Sequence, residues 1–161
     1  MKYPIEIRKV VYASVVPVVC GNERGTAFFV APDTLVTARH VVVEHFVSNV
    51  PVIVSADTSV LCDVEFIADE GVNVDVVLLK CKDYQQKDYL KLLAAEFNED
   101  RQLTIVGYPK EFGNNSELIS IEVQDRLGNR KEDYDTTVVR TDFLAFTSYK
   151  GFSGSPVLNE K

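Results

Sequence analysis

Gly151-Phe152-Ser153-Gly154-Ser155-Pro156-Val157, close to the end of a 161-residue chain, is the stretch whose reading decides the fold. Glycines on both sides of a lone serine let the backbone turn tightly and approach a ligand closely, which a nucleophile needs if neighbouring N–H groups are to face a substrate. Ser153 is the candidate nucleophile. A serine hydroxyl is weakly nucleophilic at neutral pH, so the reading requires a general base and a group to orient it elsewhere in the chain. Taken alone, a Gly/Ser/Pro cluster near a terminus is equally well a loop.

Working outward, two upstream segments carry the missing groups. Gly25-Thr26-Ala27-Phe28-Phe29-Val30 reads as a strand, Ala31-Pro32-Asp33-Thr34 as a tight turn, and Leu35-Val36-Thr37-Ala38 as the next strand, which delivers Arg39-His40 at its end. The run His40 to Val47 has room for one or two helical turns. By itself His40 could equally be structural. His45 is read as structural, because its offset from His40 is not the i,i+4 spacing of a zinc-binding helix. Further on, Asp75 interrupts the apolar run Val72 to Leu79. Burying a carboxylate costs several kcal/mol unless something compensates it, so Asp75 is expected to have a dedicated hydrogen-bond donor. A strand-end aspartate facing water is the alternative.

The rest of the chain suits an all-β architecture. Val10 to Val19 is β-branched and reads as a strand, despite the superficial order of a secretory signal given by Lys2, Arg8 and Lys9; Glu6 and Pro17 speak against a leader. Short strands are expected around the turn Ser55-Ala56-Asp57-Thr58. Others are expected over Leu103 to Gly107, Glu117 to Val123, Thr136 to Arg140 and Phe143 to Phe146, with Asp125 to Arg130 as a hairpin loop. The polar segment from Lys82 to Asp100, with a short helix over Lys91 to Phe97, reads as a connector between two halves.

Composition narrows the function. Lys plus Arg number 17 against 24 Asp plus Glu, a net charge of −7, which argues against a surface built to neutralise phosphates and so against nucleic acid. No apolar run is long enough to span a membrane. Cys20, Cys62 and Cys81 are odd in number, lack metal-type CxxC spacing and fall in apolar runs, so they are expected to be reduced core residues of a cytoplasmic protein.

With all pieces in hand, the sequence resembles the trypsin-like (chymotrypsin-fold) serine peptidases, especially the compact bacterial ones. The resemblance rests on Gly25 to Val30, Leu35 to Val41, Asp75 to Leu79, Gly107-Tyr108-Pro109 and Gly151 to Val157. Their order, His then Asp then Ser, is that of this fold and not of α/β-hydrolases or subtilisin. It implies two antiparallel β-barrels: residues 1–82 carrying His40 and Asp75, a connector over 83–98, and residues 99–161 carrying Ser153. It further implies Ser153 as nucleophile, His40 as general base, Asp75 as the group orienting the imidazole, and the backbone N–H groups of Gly151 and Ser153 as the oxyanion hole. No metal or cofactor is needed, and the partner is a peptide or protein substrate. By position, Thr147 and Ser148 would line the base of the substrate pocket.

Three departures from the family pattern stand out. Phe152 replaces the aspartate that pairs with a newly cut N-terminus in digestive members. Val41 stands where secreted relatives often carry a disulfide cysteine, in keeping with a reducing compartment. Only 161 − 153 = 8 residues follow the nucleophile. The second barrel is therefore expected to be incomplete, in a protease domain of a longer polypeptide whose further domains are additional partners. A catalytically inactive binding or scaffolding module of the same fold is the alternative.

Overall fold

The computed structural model describes residues 3–67, 75–92, 103–109, 119–123, 125–131, 134–140 and 151–159. Its centre is a closed antiparallel barrel of six strands: β1 (Val15–Cys20), β2 (Glu23–Ala31), β3 (Thr34–Thr37), β4 (Val52–Ser55), β5 (Ser59–Ile67) and β6 (Val77–Cys81). The order around the barrel is β1-β2-β3-β6-β5-β4, with β4 pairing back onto β1. Alternation explains which residues fill it. In β4, Val52 and Val54 point inward while Ile53 and Ser55 face out, and in β6 Val77, Leu79 and Cys81 form the inner row. Phe29, Leu35 and Leu79 have no exposed surface, and each such side chain contributes about 1.5–3 kcal/mol by leaving water. Pro17 is tolerated in β1 because pairing with β4 begins only at Val18, so the residue without an N–H lies outside that ladder.

The turn at Ala31 to Thr34 also anchors the connector. Lys80 Nζ lies 2.8 Å from Asp33 Oδ2 and Thr34 Oγ1 donates to Asp33 Oδ1 at 3.0 Å. These bonds, that of Lys80 first, hold the Asp33 carboxyl below the usual carboxylate range. Asp33 O accepts the Cys81 amide at 2.7 Å, and the Leu90 amide donates to Phe29 O at 2.8 Å. The connector residues described here thus run along the barrel wall. Lys91 and Leu92 are not helical, and the rest of the helix expected over Lys91 to Phe97 lies outside the described residues.

Two expectations are corrected. The β-branched run from Val10 is not one strand: helix α1 (Ile5–Ser14) occupies its first part, and β1 starts at Val15. Pro4 stands at the N-cap, Glu6 lies in the first turn where the helix dipole favours it, and Val11 and Ser14 share the buried face. Val11 packs with Val15, Phe28 and Val106 in a second apolar cluster, so tertiary packing overrides the strand preference of valine. The second correction concerns Asp125 to Arg130, which is no loop. Strand β9 (Asp125–Lys131) pairs along its whole length with β10 (Tyr134–Arg140). The cross-strand ladder with a Thr- and Val-rich partner prevails over turn-like composition.

The other second-half sheet has three strands in the order β11 (Val157–Asn159), β7 (Leu103–Gly107) and β8 (Ile119–Val123). Neither sheet closes into a second barrel among the described residues. The strand expected over Phe143 to Phe146 lies outside them.

Candidate active site

β3 and β6 are antiparallel neighbours with Thr37 opposite Val77, so the exit of one strand lies beside the entrance of the other. That register brings His40, three residues after Thr37, to Asp75, two residues before Val77. A 3₁₀ turn over Arg39–Val42 follows β3, and its Val41 and Val42 are buried in the barrel core, which leaves Arg39 and His40 outside. Asp75 grips His40 twice. Its Oδ1 accepts the His40 backbone N–H at 2.8 Å, and its Oδ2 bonds to the imidazole Nδ1. The Asp75 carbonyl also accepts the Arg39 amide at 3.4 Å. An ionised carboxylate only accepts, so Nδ1 carries the proton and Nε2 is left with a lone pair. Asp75 has the donor that its sequence context called for. It is not buried, however: the side chains of His40 and Asp75 are 56% and 51% exposed.

Ser153 stands at the corner of a tight turn. The Ser155 N–H donates to Phe152 O at 2.9 Å, and Gly154, third of the four residues, has φ +85°, the backbone of a type II turn. The peptide between Ser153 and Gly154 faces the first barrel, where the Thr26 N–H donates to Ser153 O at 2.8 Å. Gly154 is required for space as well as angle. A Cβ there would lie 2.5 Å from Thr37 Oγ1 and 2.9 Å from the Ala38 amide nitrogen, and closer still to Thr26 O. Ala38 is two residues from His40. Gly25 closes the gap from the other side, since a Cβ there would lie 2.9 Å from Ser153 O and 2.7 Å from Val41 Cγ2. The serine turn is therefore packed against the segment that carries the histidine. Among the described residues no hydrogen bond joins Ser153 to His40, and Ser153 is half-buried.

Sequence reading missed the residue that ties these parts together. Thr26, fully buried in β2, donates its hydroxyl to Gly151 O at 2.8 Å and accepts the Tyr108 N–H at 2.9 Å. Its carbonyl accepts Thr37 Oγ1 at 2.7 Å. Tyr108 in turn donates its hydroxyl to Val15 O at 3.1 Å, and burial pushes its phenol up from the ordinary range. The only signal was a β-branched hydroxyl residue directly after Gly25. Thr26→Val keeps the shape but strands a carbonyl and an amide, which costs about 1–3 kcal/mol for each. The expected result is a lower denaturation midpoint, measured by urea unfolding. An unchanged midpoint would show that the hydroxyl is dispensable.

A sequence profile of the trypsin-like peptidase domain matches residues 25–161. The chain belongs to that family. No curated protein sequence matches it. Among solved structures, this trypsin-like domain is similar to the inactive form of the Rv3671c protease of M. tuberculosis, with a TM-score of 0.71 at 21% identity over 94% of this chain and 75% of that one. A Glu endopeptidase in complex with MPD gives 0.65 at 17% identity over 92% and 74%. Deg5 gives 0.63 at 16% identity over 99% and 83%. At such identities the likeness establishes a common fold.

Of the other candidate residues in the trypsin-like domain, Thr147 and Ser148 lie outside the described residues. His45 has a structural contact: its Nδ1 lies 2.9 Å from Val50 O, a pure acceptor, which anchors helix α2 (Val43–Ser48) to the chain entering β4. The three cysteines are free and buried. No helix among the described residues is long and apolar enough to cross a membrane, and no three His, Cys, Asp or Glu side chains among them converge as metal ligands would.

Proposed function

We propose that this chain is the catalytic domain of a serine endopeptidase, which cleaves peptide bonds through an acyl-enzyme on Ser153. His40 Nε2 takes the proton of Ser153 as the hydroxyl attacks the scissile carbonyl, and returns it to the leaving amine. Asp75 holds the imidazole with its proton on Nδ1 and stabilises the imidazolium. The N–H groups of Gly151 and Ser153 receive the oxyanion. The observation that carries this reading is the double grip of Asp75 on His40, which fixes ring and tautomer with Nε2 as the available base. The division into barrels over 1–82 and 99–161 joined by 83–98, a cytoplasmic location and attachment to further domains belong to the same proposal. Three free cysteines support the location.

A fluorophosphonate probe tests the reading. It should label the complete protein at Ser153, and Ser153→Ala should abolish the label. A non-catalytic binding module of the same fold is the second reading, favoured by the absence of a Ser153–His40 hydrogen bond. It predicts no labelling at all.

The proposal extends to specificity. In relatives that cleave after Arg or Lys, the place of Thr147 holds an aspartate, and a desolvated cation needs such a partner. With Thr147 and Ser148 at its base, the pocket favours small or uncharged residues before the cut. Peptide-library profiling checks this, and a dominant Arg or Lys would refute it.

A further inference from the structure

The first barrel contains a pair of nucleophilic groups for which the peptidase mechanism has no use. Cys62 in β5 and Cys81 in β6 are directly opposite each other, with their sulfurs 3.6 Å apart. Their ladder position is defined by a neighbouring bond: the Lys82 amide donates to Leu61 O at 2.9 Å. Leu61 and Lys82 are thus the hydrogen-bonded pair, and Cys62 and Cys81, one step along, face each other across a non-hydrogen-bonded site. At such sites the Cα atoms approach to about 4.5 Å and the side chains are closest. That separation falls at the short end of the range a disulfide spans, so the bond can form with a sulfur movement of about 1.5 Å and no strand displacement.

We propose that Cys62 and Cys81 form a reversible dithiol–disulfide site, oxidised by a hydroperoxide. Cys81 is the attacking group, the more exposed of the two at 7% against 3% and at the end of its strand. The hydrogen bond from Cys62 pulls the Cys81 thiol below its ordinary range, against the opposing effects of burial and the Asp33 carboxylate. The same hydrogen bond and burial push Cys62 up, so it keeps its proton. In the first step the Cys81 thiolate attacks an oxygen of hydrogen peroxide, the O–O bond breaks and the sulfur becomes a sulfenic acid, while the departing hydroxide takes up the proton that the thiol had released and leaves as one water. In the second, Cys62 sulfur attacks Cys81 sulfur, the S–O bond breaks, and the Cys62 proton departs with the second water. Two thiols and one hydrogen peroxide give one disulfide and two waters. A dithiol reductant reverses the change. Asp75 lies inside the loop that the bond closes.

The test is a thiol count on the purified chain. Without oxidant, unfolding and alkylation with iodoacetamide should add three labels. After one equivalent of hydrogen peroxide it should add one, on Cys20, with the intact mass lower by two hydrogens and a peptide linking Cys62 to Cys81; dithiothreitol should restore three. Cys20→Ser should leave the link intact and Cys81→Ser should abolish it. Three labels after peroxide, a link involving Cys20, or terminal oxidation to sulfinic acid without a link would each overturn the proposal. The unsubstituted chain alone decides between these outcomes, even if a variant folds poorly.

Discussion

Replacing Ser153 by alanine in the complete protein is expected to lower peptidase turnover by on the order of a million-fold, and His40→Ala by a comparable factor. The double substitution should be no slower than either single one. The reason is that neither group acts alone: a base without its hydroxyl has nothing to activate, and a hydroxyl without its base stays protonated. What remains after either change comes from substrate positioning and the oxyanion site, which both variants keep. Initial rates on a quenched fluorescent peptide measure the effect. Thermal unfolding serves as a control and should barely move for His40→Ala, because that ring is more than half exposed. A Ser153→Ala sample that cleaves at the unsubstituted rate would end the nucleophile assignment.

Asp75→Asn is expected to cost about ten-thousand-fold. The geometry explains why so conservative a change is severe. Oδ1 must still accept the His40 backbone N–H, at 2.8 Å in the unsubstituted protein, so the new amide NH₂ takes the place of Oδ2 and faces Nδ1. A donor there demands a bare Nδ1, which puts the proton on Nε2, where it blocks acceptance from Ser153. The fold should be unaffected, so the same rate assay with unchanged circular dichroism checks the prediction. A loss of less than tenfold would mean that Asp75 does not set the tautomer.

The barrel was readable from the chain because its strands are β-branched runs punctuated by Gly21 and Pro32, and because His40 and Asp75 fall where β3 ends and β6 begins. Other features resisted for physical reasons. Val10 to Ser14 has strand-like composition, yet becomes the last turns of α1 through the burial of Val11 against Phe28 and Val106, a contact between distant segments that no local window contains. Asp125 to Arg130 looks like a turn and pairs as a strand because β10 offers it a full ladder. The aspartate amid valines looked buried, but it precedes β6 and sits at the barrel rim, where water reaches it. Thr26 was hidden for a related reason. A threonine in a strand is unremarkable until the partners of its hydroxyl are known, and both come from the far half of the chain.

That hydroxyl has a kinetic meaning too. Thr26 and Gly151 are 125 positions apart, so the bond between them closes a very long loop, and contacts of such separation form late. The barrel that holds His40 and Asp75 is complete by Cys81 and can assemble while later residues are still being synthesised. Beyond its own Ser155 N–H to Phe152 O bond, the serine turn is held by the Thr26 N–H and by close packing against Thr37 and Ala38. The strands that present His40 and Asp75 therefore precede in synthesis the segment that carries Ser153.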